Sequence, residues 1–573
     1  MNYENIYVAD FETTTSEPTS VWLWGLNRLD GDHYEHGDSI NQFIDYFIKL
    51  RKDIRIYFHN LKFDGSFIVS YLLNNGFIYS ENEEPNTFDT LITDMNLWYQ
   101  ITIRAEYPTQ KRQKKLFKIK IFDSLKIIPL KIADMPKTFG LPLEKLEMKY
   151  DEKKSGTKAN EKDLEYQFND VEILRLSLKF MFDRGIDRMT MSSAAMADLI
   201  AEVGEGRFKK LFPVISTNEI FRTDIKGLCD EELRELCADK KLRLAYRGGW
   251  TYLKKGLENQ ILKNITVYDV NSLYPFIMHE RVLPYGAPII NQSMDDIENF
   301  PLKIIFFSCS FELKEDYLPT IQIKNNLLFN GRDYLESSNQ EVVYLSLTNV
   351  DFDLFLKHYN VYDIYIEQVY HFRGIKGLFN DYIDKWNEVK ERNEKNPGMR
   401  FIAKRMNNGV YGKFATNPVR RKREPQLHNG ILKFKTLDGE YEPTYYLPVG
   451  IFVTSYAREY TIQYAQSHYD DFVYADTDSL HLKNKYDDIP LHQTRLGAFK
   501  IEKEFDRARY IRAKRYIGEK NNELIITCAG LPSSCYDQVT FDNFVIGTQY
   551  TGKLLQKQVV GGVILEETTF NLQ

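Results

Sequence analysis

Two short acidic segments, far apart in the chain, have residue types that suit a single metal site: DVNSLYP, Asp269 to Pro275, and YADTDS, Tyr474 to Ser479. The first follows the β-prone run Ile265 to Tyr268. The second is framed by Phe472 to Tyr474 and Leu480 to Leu482, so both are expected on or at the ends of strands. Alternation along a strand would put Asp476 and Asp478 on one face, and an adjacent strand carrying Asp269 would complete a cluster of three carboxylates. Such a cluster needs cations. Oxygen donors without His or Cys suit magnesium, and two magnesium ions can activate a 3′-hydroxyl and stabilise a leaving pyrophosphate. The alternative is that Asp-Thr-Asp is only a turn, because Asp and Thr favour turns.

The neighbouring residues fit the same chemistry. Tyr274, five residues after Asp269, could lie under an incoming sugar and leave no room for a 2′-hydroxyl. The span Arg400 to Tyr411 reads as a helix in which Arg400, Lys404, Asn408 and Tyr411 share one face. Two cations, an amide and an aromatic in a row suit a triphosphate at one end and a base pair at the other.

A second acidic set lies in the first third of the chain. IYVADFETT has a strand pattern with Asp10 and Glu12 on one face, and a further strand, Ile54 to Phe58, runs into HNLKFDGSF, which places Asn60 and Asp64 at a strand-to-helix junction. In the helical stretch EYQFNDVEIL, Tyr166 and Asp170 are four apart and stack on one face. Asp10, Glu12, Asp64 and Asp170 could hold two divalent ions while Tyr166 orients a water for attack on a phosphodiester. Ser124 and Leu125, just after a basic run, supply a hydroxyl and an apolar wedge that could hold a frayed single strand there. Lys145 reads as a phosphate contact or charge neutraliser.

The elements that position these groups must belong to several domains, since 573 residues exceed one ordinary core. The 38 Tyr and 37 Phe, with no low-complexity tract, indicate a packed globular protein. A net charge of −6 excludes indiscriminate adhesion to polyanions, so nucleic-acid contact would come from local basic runs at 111–120, 420–423 and 507–515. The five cysteines form no CxxC pair, which points to a reduced cytosolic setting without zinc or disulfides. No apolar run approaches membrane-spanning length and the N-terminus has no signal-peptide pattern, so a soluble protein with no membrane partner is expected.

Taken in order, DFET, HNLKFDG, YQFND, YRGG (Tyr246 to Gly249), DVNSLYP, KRMNNGVYG, TSYAR (Thr454 to Arg458), YADTDS and KRY (Lys514 to Tyr516) make the chain resemble, end to end, the protein-primed family B DNA polymerases of short-tailed bacteriophages. The resemblance implies a multidomain α/β (α+β) fold: a ribonuclease H-like 3′-5′ exonuclease domain, then a right-hand palm, fingers and thumb with two insertions. It implies that Asp269, Asp478 and the Val270 carbonyl bind two magnesium ions, for which manganese can substitute, that Tyr274 gates the sugar, and that Lys390, Arg400 and Lys404 meet the triphosphate. DNA contacts are implied for Asn60, Phe63, Tyr246, Gly248, Gly249, Thr454 and Arg458, with Lys514 and Tyr516, two apart on an expected strand, holding the primer. One departure stands out. Where the family usually has NSxYG, this chain has Asn408-Gly409-Val410-Tyr411-Gly412, and a helical glycine costs about 1 kcal/mol relative to alanine.

The same pattern implies an exonuclease over 1–190, a palm split between 191–280 and 447–528, fingers over 378–415 and a thumb over 529–573. The insertions would be 281–377, contacting a priming protein, and 416–446, a DNA-encircling hairpin turned at Asn429-Gly430. The implied partners are template and primer DNA, deoxynucleoside triphosphates and a terminal priming protein, with the enzyme a monomer or a heterodimer with that protein in the cytoplasm of an infected bacterium. Three rivals remain open at this level: a family B polymerase using only nucleic-acid primers, a nuclease with a decayed polymerase half, and a non-catalytic DNA-binding protein.

Overall fold

The structure, a computed structural model, describes residues 3–31, 33–108, 114–147, 156–215, 238–323, 329–331, 333–441 and 444–573. Residues 111–113 of the first basic run, Cys229 and Cys237 lie outside them. The other three cysteines are free and buried. No described helix is long and apolar enough to cross a membrane.

An eight-stranded mixed sheet organises the N-terminal unit, with Ile6–Thr13 parallel to Ile54–Phe58, and that strand parallel to Lys114–Asp123. The first strand is apolar on both faces because helices cover both. Its odd residues Tyr7, Ala9 and Phe11 join a core with Phe43 and Phe47 of helix Ile40–Leu50 and Phe67 of helix Leu61–Asn74. Its even residues Ile6 and Val8 join another with Val171, Leu174 and Leu178 of helix Glu161–Phe182. Parity therefore sends Asp10 and Glu12 toward the helix that carries Tyr166 and Asp170.

A seven-stranded antiparallel sheet lies at the centre of the rest, with Ile261–Val270 between Phe499–Arg512 and Ser479–Lys483. Tyr268 and Val270 face a core shared with helix Leu447–Ser467, while Ile265 and Val267 pack on the other side with Val473, Tyr510 and Tyr516. Asp269 has the parity of Ile265 and Val267, so it points away from the helix. A separate four-stranded sheet, Val282–Asn291, Tyr359–Lys376, Leu302–Leu313 and Val343–Thr348, has a core of its own. Helices Asn380–Arg392 and Pro397–Phe414 form an antiparallel pair, the second packed on helix Met191–Val203. A Cβ on Gly409 would lie 3.1 Å from the Ala195 Cβ and 3.3 Å from the Ser192 Cα, so the missing side chain is what lets the two helices approach.

Two hairpins link the units. Arg423–His428 and Ile431–Thr436 are joined at Asn429-Gly430, both with positive φ as a two-residue hairpin turn requires. Leu432 and Phe434 from this arm enter the core of the N-terminal unit, where Phe434 packs edge-on against Trp98. The C-terminal hairpin Gln549–Val559/Gly562–Asn571 turns against the same unit. Thr19 N–H donates to the Val560 carbonyl at 3.1 Å, and a Cβ on Gly561 would lie 2.1 Å from the Thr19 carbonyl oxygen.

Candidate active sites

In the N-terminal unit, carboxylate oxygens of Asp10, Glu12 and Asp170 lie within 4.8 Å of one another, the only such set among the described residues. Asp64, buried in the first turn of helix Leu61–Asn74, completes the group electrostatically. Burial and then the Asp170 charge push Asp10 up to about 7. Glu12 and Asp64 are held well above the usual carboxylate range, each by burial first and by Asp10 second. Lys145 sits at the rim, its ammonium donating to the Tyr166 hydroxyl at 2.6 Å and paired with Asp170 Oδ2. Asp170 Oδ1 is buried and has no hydrogen-bond partner. A crowded all-carboxylate set with one unused buried oxygen suits hard divalent ions.

Helix Leu61–Asn74 is aimed by a residue that sequence reasoning missed. Asp123, 3% exposed, accepts from the backbone N–H groups of Asn60 (3.0 Å), Leu61 (3.2 Å) and Leu125 (3.1 Å), so it fixes both the start of the helix and the turn beside it. Its only local signal is its place before Ser124. Asn60 takes a left-handed conformation at this cap and is exposed, and Phe63 is half-buried on Phe67.

At the central sheet, Asp269 and Asp478 come together across strands. Val270 N–H donates to the Asp478 carbonyl at 2.8 Å, which draws that peptide against the turn. Burial, then Asp269, raises Asp478 to about 6, while Lys404 acts in the opposite sense. Tyr274 lies on Tyr411 with ring centroids 4.0 Å apart and planes 30° from parallel, and Tyr246 is close enough to add to the burial that raises the Tyr274 hydroxyl. On the neighbouring helix pair, burial lowers the Lys390 ammonium first, followed by repulsion from Arg400, Lys404 and Lys500. Arg400 and Lys404 are exposed on the helix face expected for them, and Asn408 is half-buried on the same helix.

The turn carrying Asp478 is held from beneath. Thr477 has φ +63°, its N–H donates to the Trp250 carbonyl at 2.8 Å, and its carbonyl accepts from the Thr461 hydroxyl at 2.8 Å. Gly249 packs on it so closely that a Cβ would lie 2.6 Å from two Thr477 side-chain atoms, whereas Gly248 is exposed with open space at that position.

Several expectations are corrected. Asp476 and Asp478 do not alternate along a strand. Strands Phe472–Asp476 and Ser479–Lys483 are joined by Thr477 and Asp478 as a tight turn, so the turn reading and the metal reading describe the same residues. Asp476 leaves the carboxylate pair and accepts from Thr251 Oγ1 (3.0 Å) and Lys514 Nζ (3.1 Å). Lys514 is in the turn before strand Arg515–Lys520, at φ +59°, rather than on the strand with Tyr516, and Tyr516 is buried among Tyr474, His481 and Tyr510.

Ser124 is fully buried. Its hydroxyl donates to the Phe58 carbonyl at 2.8 Å and bonds His59 Nδ1 at 2.9 Å, so only half-exposed Leu125 is available to a strand. Thr454 is 1% exposed and bonds the carbonyls of its own helix. Arg458, 2% exposed, donates to the carbonyls of Arg247 (2.7 Å) and Gly248 (2.8 Å) and pairs with Asp351 at 2.6 Å, so it positions Tyr246 to Gly249 instead of touching DNA. The basic runs are also partly internal, since Arg509 is buried against the Phe541 and Phe544 carbonyls and Lys422 pairs with Glu81. Besides Asp123, sequence reasoning missed Asp351 and Lys500, whose partners lie on other strands and helices.

The chain matches the family model described as DNA polymerase type B, organellar and viral, over residues 49–173 and 147–494. The DNA polymerase of Bacillus phage M2 is 38% identical over 99% of both chains. That of Bacillus phage phi29 is 37% identical over 99% of both, and that of Streptococcus phage Cp-1 is 35% identical over 99% of this chain and 98% of its own. The solved structure of phi29 DNA polymerase complexed with primer-template DNA and incoming nucleotide substrates has a TM-score of 0.89 and 36% identity, covering 99% of this chain and 100% of that one. Phi29 DNA polymerase complexed with single-stranded DNA has a TM-score of 0.87 at 35% identity, with the same coverage.

Proposed function

The chain belongs to the type B DNA polymerases, and we propose that it is a protein-primed, DNA-directed replicase of a linear viral genome, with strand displacement and 3′-5′ proofreading. The observation that carries this reading is the presence of two acidic centres in separate units, each with its own tyrosine and lysine partners, in a chain similar from end to end to phage polymerases. In this reading residues 1–190 are the exonuclease, 191–280 and 447–528 the palm, 378–415 the fingers and 529–573 the thumb. Residues 281–377 meet the priming protein and 416–446 encircle DNA. The working site is the cytoplasm of an infected bacterium, and the protein acts as a monomer or with its priming protein.

At the polymerase centre Asp269, Asp478 and the Val270 carbonyl would hold two magnesium ions, or manganese in their place. These ions, when bound, supply activation of a hydroxyl and stabilisation of charge on pyrophosphate. Lys390, Arg400 and Lys404 neutralise the triphosphate, and Asn408 lies toward the nascent pair. Tyr274, braced by Tyr411, closes the space that a 2′-hydroxyl would need. Lys514, steadied by Asp476, holds the primer end, while Tyr516 acts from within the palm core. At the hydrolytic centre Asp10, Glu12, Asp64 and Asp170 would hold two ions. Tyr166 orients the water, and Lys145 restrains Asp170 and balances its charge. Asn60, Phe63 and Leu125 line the path of a frayed strand, and Tyr246 to Gly249 guide it between centres.

Covalent transfer of a labelled deoxynucleotide to the cognate priming protein, with magnesium or manganese, tests the reading. Labelling of that protein is expected. If DNA primers are extended normally and the protein is never labelled, the enzyme is a nucleic-acid-primed member of the family.

A further inference from the structure

Lys500 has no part in the reading above, yet it is paired with a carboxylate of the polymerase centre. It lies directly opposite Asp269 in the antiparallel pairing of Ile261–Val270 with Phe499–Arg512, and its Nζ is 2.8 Å from Asp269 Oδ2. Burial lowers the Lys390 ammonium first, and the charge of Lys500 adds to those of Arg400 and Lys404 in lowering it further. One amine thus pairs with the Asp269 carboxylate and adds its charge to the cationic field of the helix pair.

A half-exposed ion pair of this kind contributes little to fold stability, so stability does not explain why a cation faces this carboxylate. The position has a cost for metal binding, because an ammonium on Asp269 occupies the carboxylate that a divalent ion must use. It also has an advantage for the nucleotide, because a four-carbon stem carries a mobile point charge well suited to phosphate oxygens. We propose that Lys500 is a further nucleotide-site residue, a resident cation that holds Asp269 in the metal-free enzyme and turns to the triphosphate when a divalent ion takes that carboxylate. This rests on the polymerase reading of the Asp269–Asp478 centre.

The two roles have opposite signs, and that makes them testable. Loss of the amine should tighten divalent binding to the nucleotide-free protein and weaken nucleotide binding, whereas a pair that only screens Asp269 would tighten divalent binding and leave nucleotide binding unmoved. Lys500→Ala is made in an Asp10→Ala/Glu12→Ala background, which confines strong metal binding to the polymerase centre. Mn2+ binding without nucleotide is read by electron paramagnetic resonance, and KM and kcat for a single deoxynucleotide are measured with magnesium. Roughly two- to fivefold tighter Mn2+ binding is expected, with KM raised by a similar factor and kcat changed less. Lys500→Arg, which keeps the charge, should restore both values. If either Mn2+ affinity or KM stays at its unsubstituted value in a Lys500→Ala protein of unchanged melting temperature, the proposal is overturned. If the unsubstituted protein incorporates no nucleotide, the polymerase reading fails and this proposal with it. Normal incorporation by both proteins overturns the proposal alone.

Discussion

Tyr274 can act as a steric wall only because Tyr411 stops it from turning away. Tyr274→Val should therefore raise ribonucleotide use relative to deoxynucleotide use by about tenfold or more, read as the ratio of kcat/KM values. An active variant with an unchanged ratio would remove Tyr274 from the gate. Because the two centres draw on different units, Asp10→Ala with Asp64→Ala should abolish single-strand degradation and spare primer extension, and Asp478→Ala should do the reverse. Loss of both activities in a folded Asp10/Asp64 variant would contradict this division. The clustered carboxylates of the N-terminal unit also predict a pH effect. Their folded pKa values lie above those of the unfolded chain, so the stability they contribute is full at low pH and is lost as pH rises through about 7. In EDTA, the melting temperature of Asp10→Asn/Glu12→Gln minus that of the unsubstituted protein should grow between about pH 5 and 8, and magnesium should shrink the difference. Residue identities were legible where geometry is local: Asp10 and Glu12 share a face because their strand is regular. Asp476 and Asp478 escaped the same rule because Thr477 turns left-handed, and the burial of Ser124, Thr454 and Arg458 depends on elements far away in the chain.

At the scale of elements, helices and hairpins announced themselves through spacing and turn chemistry, as the Asn429-Gly430 hairpin and the helix around Arg400 to Tyr411 illustrate. Packing between elements did not. Gly409 reads locally as a weak point in a helix, and its benefit is visible only against Ala195 and Ser192. Gly249 is a sharper case, because a methyl group there meets Thr477 at 2.6 Å and must displace the turn that carries Asp478. Gly249→Ala should lower primer extension at least tenfold and leave single-strand degradation within about twofold. Equal retention of both activities would show that the turn tolerates the shift. The described residues of the hairpin at 416–446 add basic side chains and no carboxylate of either centre, so its deletion should shorten products and weaken strand displacement under single-binding conditions while single-nucleotide addition persists. Full-length displacement products from the deletion variant would count against that role.

For the whole molecule, family and fold class were legible because several spaced motifs occur in sequence, whereas the contacts between units were not. On the proposed reading a priming protein would be held by surfaces outside the carboxylates, and 281–377 supplies a sheet with its own core. Glu315→Lys, on its exposed surface, should weaken transfer to the priming protein severalfold and leave DNA-primer extension nearly intact. Equal loss of both would point to a general defect. The units are also joined below the surface, because Leu432 of the hairpin and Val563 near the C-terminus are buried in the N-terminal core. A fragment spanning 191–573 would expose both, at about 1.5–3 kcal/mol for each side chain, and would uncover the partly buried Phe434 as well. Truncation of the first third is therefore expected to leave a remainder destabilised by bare apolar surface. On the proposed reading of that unit, a lineage that gives up error correction is expected to lose it by substitution at the carboxylates and to go on translating the silent domain as scaffold.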